Sequence, residues 1–150
     1  MAKPVQKAQR AREFAHLGFE LRDLLRQFLQ KKFRENNIEL TYEMQQVMVC
    51  LWKTDGIKQQ ELADKTLKDK ASLTGLIHNL EKRKFVKRME DEDDRRNKLI
   101  FLTTAGKKLG EEVQPWLSEM YSLAGSNVDM SAINECMKMV QKMVDSLRSA

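Results

Sequence analysis

The stretch DKASLTGLIHNLEKRKFVKRMEDEDDRRNKLIFLT, residues 69–103, changes period halfway along, and that change decides the fold. It opens on Asp69, whose carboxylate is suited to cap the free amides of a helix start. Leu73, Leu76, Ile77 and Leu80 follow at intervals that place them on one helical face. After Lys84 the pattern shortens. Phe85-Val86-Lys87-Arg88-Met89 reads as a strand, Lys98-Leu99-Ile100-Phe101-Leu102-Thr103 as a second, and Glu90 to Asn97 as the charged loop that joins them. A helix followed at once by a hairpin is a helix with a wing.

Upstream, Asn36-Asn37 ends a first helix expected over about residues 8–35, and Thr41 with Glu43 starts a second. Met44, Val47, Met48 and Leu51 give that second helix its buried face, and Asp55-Gly56 closes it. A short third helix, about Lys58 to Lys65, carries Leu62-Ala63 and precedes Asp69 by a turn, so the centre of the chain has the helix-turn-helix plan. Downstream, Thr104 is expected to cap a fifth helix with Leu109, Val113, Trp116 or Leu117, and Met120 on one side. Pro115 should kink it near Glu111.

Both ends carry heptad-like seams. In the first helix the apolar residues fall at Phe14, Leu17, Leu21, Leu24 and Phe28; in the last, at Met130, Ile133, Met137, Val140, Val144 and Leu147. A small central domain cannot bury two such stripes, so they are expected to pack together and against a second copy of the chain. A monomeric bundle closing on itself is the alternative. The expected fold class is α+β, mainly α: a winged helix-turn-helix over residues 41–104, with dimerisation helices in residues 1–40 and 105–150.

The 150 residues carry 27 Lys+Arg against 22 Asp+Glu, a formal charge of +5 that suits a polyanionic partner. Residues 1–40 hold 9 basic and 5 acidic groups, residues 41–110 hold 15 and 11, and residues 111–150 hold 3 and 6. The positive excess therefore lies in the first two segments, and the C-terminal stretch is suited to meet protein. Six Gly and two Pro are too few for a turn-rich all-β fold. The longest apolar run, Val47 to Trp52, falls far short of the ~20 residues of a membrane span. The basic start, Met1 to Arg12, leads into an amphipathic segment and not a secretory leader. A cytoplasmic protein without membrane contact is expected, and with Cys50 and Cys136 forming no close pair, no disulfide.

If Leu73 and Ile77 face the core, Ala71, Gly75, His78 and Lys82 point outward, with Thr74 and Asn79 beside them and Lys70 and Ser72 in the first turn. An ordinary solvated helix face would be filled with Glu and Lys. Small residues alternating with short polar ones suit a helix pressed into a major groove. Gly75 costs about 1 kcal/mol inside a helix, which asks for a reason. At the wing tip, Arg95 and Arg96, followed by Asn97, suit a narrow, electronegative minor groove. Asp94, two residues before Arg96, is placed to orient it. The run of five acids from Glu90 to Asp94 would weaken binding unless some are tied to cations.

From Asp94 to Thr103 the chain reads D-R-R-N-K-L-I-F-L-T, which resembles the D-x-R-x5-L-T wing signature of the MarR family of bacterial regulators. Gln60-Glu61-Leu62-Ala63, Asp69 to Thr74, Leu80-Glu81-Lys82-Arg83 and Val86-Lys87-Arg88 resemble that family's helix-turn-helix in order and spacing. The resemblance covers nearly the whole chain. It implies an obligate homodimer on a pseudo-palindromic duplex operator, usually a repressor released by a small ligand or by oxidation. Two departures stand out: Gly75 where many members carry Arg on the recognition helix, and Lys84 where many end that helix with Gly. A left-handed cap is strained for any residue with a side chain, so the end of this helix is expected to be built differently.

The family's effectors bind between the dimerisation helices and the winged domain. His16, Phe19, Met48, Trp52 and Trp116 are the candidates here for a small aromatic or phenolic effector, although an apolar residue on a helix face is ordinarily core. A thiol-based redox regulator remains an alternative, as does a winged helix that docks on protein. Cys50 falls within an apolar run and Cys136 beside the C-terminal seam. With two His and two Cys at no ligand spacing, no metal or other cofactor is expected. The lack of a phosphate-binding glycine loop or a Ser/His/Asp set argues against an enzyme.

Overall fold

The structure, a computed structural model, describes residues 3–150. The chain divides into two compact units, Met1–Leu117 and Ser118–Ala150. In order, the elements are α1 (Pro4–Glu35), α2 (Tyr42–Lys53), β1 (Ile57–Lys58), α3 (Gln59–Thr66), α4 (Lys70–Lys82), β2 (Val86–Glu90), β3 (Lys98–Leu102), α5 (Thr104–Gly125) and α6 (Met130–Arg148).

The core of the first unit is built from the faces the periodicity marks. Val47, Met48 and Leu51 of α2, Leu62 of α3, and Leu73, Ile77 and Leu80 of α4 are fully buried, together with Ile100 of β3 and Val113 of α5. α1 starts four residues earlier than its stripe suggests, because Pro4 fits the first turn, where no amide partner is needed. Only Leu29 and Phe33 of α1 are buried, and the Phe33 ring meets Trp116 edge-on, 6.0 Å between centroids at 73°. Nearer its start, Leu17, Phe19, Leu21 and Leu24 stay more than half exposed.

The wing is a three-stranded sheet in the order β1-β3-β2, not a simple hairpin. β2 and β3 pair from Val86↔Leu102 to Glu90↔Lys98, and β1 adds Ile57↔Ile100 on the other edge of β3. β1 is two residues long, too short to show a period in sequence.

Two helix ends turn through left-handed residues that are not glycine. Leu67 (φ 52°) closes α3, and its neighbour Lys68 returns an amide to the Ala63 carbonyl at 3.0 Å. Lys84 (φ 61°) follows α4, with its own amide on the Glu81 carbonyl and that of Phe85 on the Leu80 carbonyl. The cap of α5 is Thr103, one residue before the expected Thr104: its Oγ1 accepts the Gly106 amide at 3.0 Å and donates to the Lys84 carbonyl. Gly106 is required here, since a Cβ would run into the Phe85 carbonyl. α5 continues unbroken past Pro115.

In the second unit, α6 has no buried residue. Met130, Met137 and Leu147 are among its most exposed apolar side chains.

Candidate nucleic-acid interface

α4 begins as its sequence predicts. Asp69 accepts the Ser72 amide at 2.8 Å through Oδ1 and the Ser72 hydroxyl at 2.7 Å through Oδ2. These bonds, the hydroxyl's first, favour the charged carboxylate and hold Asp69 below the usual range. Once α4 is seated on Leu73, Ile77 and Leu80, the side chains of Lys70, Ala71, Ser72, Thr74, His78 and Lys82 are exposed, and so is Gly75. Around Gly75 no heavy atom beyond its chain neighbours and the adjacent helix backbone lies within 4 Å of the place a Cβ would take. One continuous exposed face of α4 thus carries these residues, with Asn79 half-buried at its edge.

Its placement depends on residues to which the sequence assigned no role in the interface. Gln59, the first residue of α3, donates Nε2 to the Thr74 hydroxyl at 3.0 Å, and that hydroxyl donates to the Lys70 carbonyl at 2.8 Å. From β2, Arg88 donates Nη2 to the Thr74 carbonyl at 3.3 Å, while Glu81 accepts the Arg88 backbone amide at 3.2 Å. The Arg88 Nε lies 3.5 Å from Glu81 Oε2, an ion pair with both side chains 29% exposed. These bonds tie α4 to α3 and to the wing. They join residues distant in sequence by ordinary polar side chains, so no local pattern announces them.

At the wing tip, Asp94 holds Arg96 through three bonds. Oδ1 accepts Nε at 3.0 Å and the backbone amide at 3.1 Å, and Oδ2 accepts Nη2 at 3.2 Å. The Arg96 side chain, its donors foremost among the causes, keeps the Asp94 carboxyl below its ordinary range. Arg96 remains 90% exposed, so it is aimed without being covered. Arg95 is exposed beside it, and Asn97 closes the turn by donating its amide to the Asp94 carbonyl. Of the five acids, Glu90 pairs with Lys98 at 3.0 Å and Asp91 with Lys58 at 3.9 Å, leaving less free negative charge than the sequence suggests. A cavity of about 310 Å³ lies between the two features, lined among others by Lys58, Gln59, Lys70, Arg96 and Lys98. Three of its cations, Lys58, Arg96 and Lys98, are each paired with a carboxylate of the wing.

The effector candidates are dispersed. Met48 is fully buried. Trp52 donates Nε1 to the Gly106 carbonyl at 2.9 Å, lies against Gly110 and borders a groove of about 480 Å³. Trp116 packs on Phe33, whereas His16 and Phe19 line a separate groove of about 530 Å³ on α1. Cys50 is half-buried, and burial pushes its thiol up despite Lys65 and Lys53 nearby; Cys136 is exposed. Among the described residues no cluster of His, Cys, Asp or Glu is arranged to hold a metal ion, and no helix is long and apolar enough to cross a membrane.

Residues 40–98 match the sequence profile of the MarR family. The chain is 37% identical over 71 residues to the HTH-type transcriptional regulator TtmR of Methylorubrum extorquens, covering 47% of this chain and 36% of TtmR. To the HTH-type transcriptional regulator FarR of Neisseria gonorrhoeae it is 31% identical over 98 residues, covering 64% of this chain and 67% of FarR. The match thus spans about a third of TtmR's length and two thirds of FarR's. Among solved structures, S. aureus MepR in its DNA-binding conformation superposes with a TM-score of 0.80 at 26% identity, covering 89% of this chain and 98% of that one. The MepR–DNA complex gives 0.77 at 25% identity, covering 89% and 97%.

Proposed function

Since the chain belongs to the MarR family, we propose that it is a sequence-specific duplex-DNA-binding transcriptional regulator, a repressor whose hold on its operator is relieved by a small ligand. α4 enters the major groove and reads bases through residues between Lys70 and Lys82. Arg95 and Arg96, with Asn97 behind them, reach the adjacent minor groove, and Asp94 sets the direction of Arg96. The single observation that carries this reading is the pairing of an exposed small-and-polar α4 face with an exposed arginine clamped by a carboxylate. The likeness to MepR, solved on DNA, supports it.

The protein acts as a homodimer in the cytoplasm. Residues 41–104 form the DNA-binding domain, and residues 1–40 and 105–150 supply the dimerisation helices, whose exposed apolar stripes are the surface a second copy covers. The effector is a small aromatic or phenolic molecule. Of the candidate residues, Trp52 borders one groove and His16 with Phe19 another, and their aromatic character suits that chemistry, whereas Met48 is fully buried.

Footprinting of the dimer on duplexes enriched from a random pool tests the proposal. A protected pseudo-palindrome with half-sites about one helical turn apart is expected. Uniform protection without a preferred site would overturn sequence-specific reading, and capture of a protein partner through α4 without DNA binding would make the same face a docking surface.

A further inference from the structure

We propose that Thr74 fixes specificity at one position of each half-site by meeting the methyl group of a thymine with its own methyl, not by hydrogen-bonding through its hydroxyl. The inference rests on the reading of α4 as the major-groove helix. A threonine hydroxyl has one hydrogen to donate and two lone pairs to offer. Here the hydrogen goes to the Lys70 carbonyl at 2.8 Å, and one lone pair takes the Gln59 amide at 3.0 Å.

The residue is also pinned through its backbone, because its carbonyl accepts Nη2 of Arg88 at 3.3 Å. α3, α4 and β2 therefore all hold Thr74, yet its side chain is exposed. A hydroxyl that donated to guanine would first have to give up its bond to Lys70, and as an acceptor it has one lone pair left, a contact that Thr74→Val would remove. The methyl group is free of any such commitment, and apolar contact with a threonine methyl is one of the ways a thymine is told apart in the major groove. Beside it Gly75 adds no side chain, and the space where its Cβ would stand is empty, so a base edge can approach closely. The neighbouring Ser72 is committed in the same way, its hydroxyl donating to Asp69 at 2.7 Å. Donation to bases from this face then falls to Lys70, His78 and Lys82.

The test uses the full chain and a duplex it enriches from a random pool, with each thymine replaced in turn by deoxyuridine, which lacks only the methyl. At one position per half-site, the wild type and Thr74→Val should each lose about fourfold in affinity, the worth of one buried methyl group. Thr74→Ser, which keeps the hydroxyl, should bind the unmodified site more weakly and be indifferent to the replacement. Thr74→Val failing on the unmodified site, Thr74→Ser matching the wild type, or no position responding would overturn the inference while leaving DNA reading intact. Failure of the wild type to enrich any duplex would overturn the reading of α4 and this inference together.

Discussion

Lys84 stands at φ 61°, where a Cβ crowds the following carbonyl. Its departure from glycine was legible in the sequence, but the differently built helix end expected from it is not found: the turn from α4 into β2 keeps the left-handed conformation with lysine in it. The strain of a left-handed residue with a side chain, about 1–2 kcal/mol, outweighs the roughly 0.5–1 kcal/mol that glycine loses through extra freedom in the unfolded chain. Lys84→Gly should therefore gain about 0.5–1 kcal/mol in urea unfolding; a decrease would mean that the lysine side chain itself stabilises the turn. Arg96 is the opposite case, exposed and set for function. Arg96→Ala should leave stability within about 0.5 kcal/mol. The same change should weaken operator binding and flatten its dependence on salt by about 0.9 log-log units for each phosphate that Arg96 neutralises. An unchanged slope would remove Arg96 from the interface. Asp69 and Asp94 were readable because capping and clamping act over two or three residues. Gln59 and Arg88 were not, since each acts on a residue about 15 positions away.

Among elements, the helices were legible because each carries an apolar stripe, whether buried in the first unit as in α2 and α4 or left exposed as along α6, and the two longer strands because their runs are β-prone and bounded by turns. β1 was missed, since two residues carry no period and it pairs with a strand some forty residues on. The cap of α5 was misplaced by one residue because adjacent threonines, Thr103 and Thr104, look alike until the Gly106 amide chooses between them. The joint between α4 and the wing is the element-level feature with the largest expected effect. Removing the Glu81 carboxylate takes the acceptor from the Arg88 amide and the counter-charge from its half-buried guanidinium. Glu81→Ala should cost about 1–2 kcal/mol in denaturant unfolding, the usual range for stranding partly buried donors. It should also weaken operator binding beyond what stability explains, as α4 loosens from β2. A cost under about 0.5 kcal/mol would class the pair with screened surface bridges.

At the scale of the whole molecule, the sequence gives the reason for a second copy more clearly than its geometry. Leu17, Leu21 and Leu24 on α1 and Met130, Met137 and Leu147 on α6 are exposed apolar residues in repeating order, a pattern unsuited to water. A chain ending at Asp129 should run as a monomer in light scattering and lose operator affinity with its partner; a monomeric full-length protein would refute the dimer. What the sequence could not give at this scale is how the wing is anchored. At the end of β3 the Leu102 amide donates to Asp55 at 2.7 Å, that of Thr103 to the Phe85 carbonyl at 3.0 Å, and that of Gly106 to Thr103 Oγ1 at 3.0 Å. Two anchors to distant parts of the chain, with the α5 cap beside them, make this junction slow to open. In hydrogen–deuterium exchange these amides should hold their protons until the whole unit unfolds, while the Arg96 amide, tied only to its own exposed loop, exchanges early. The wing would then flex at its tip about a fixed root, adapting to the width of a groove without disturbing the helix that reads it.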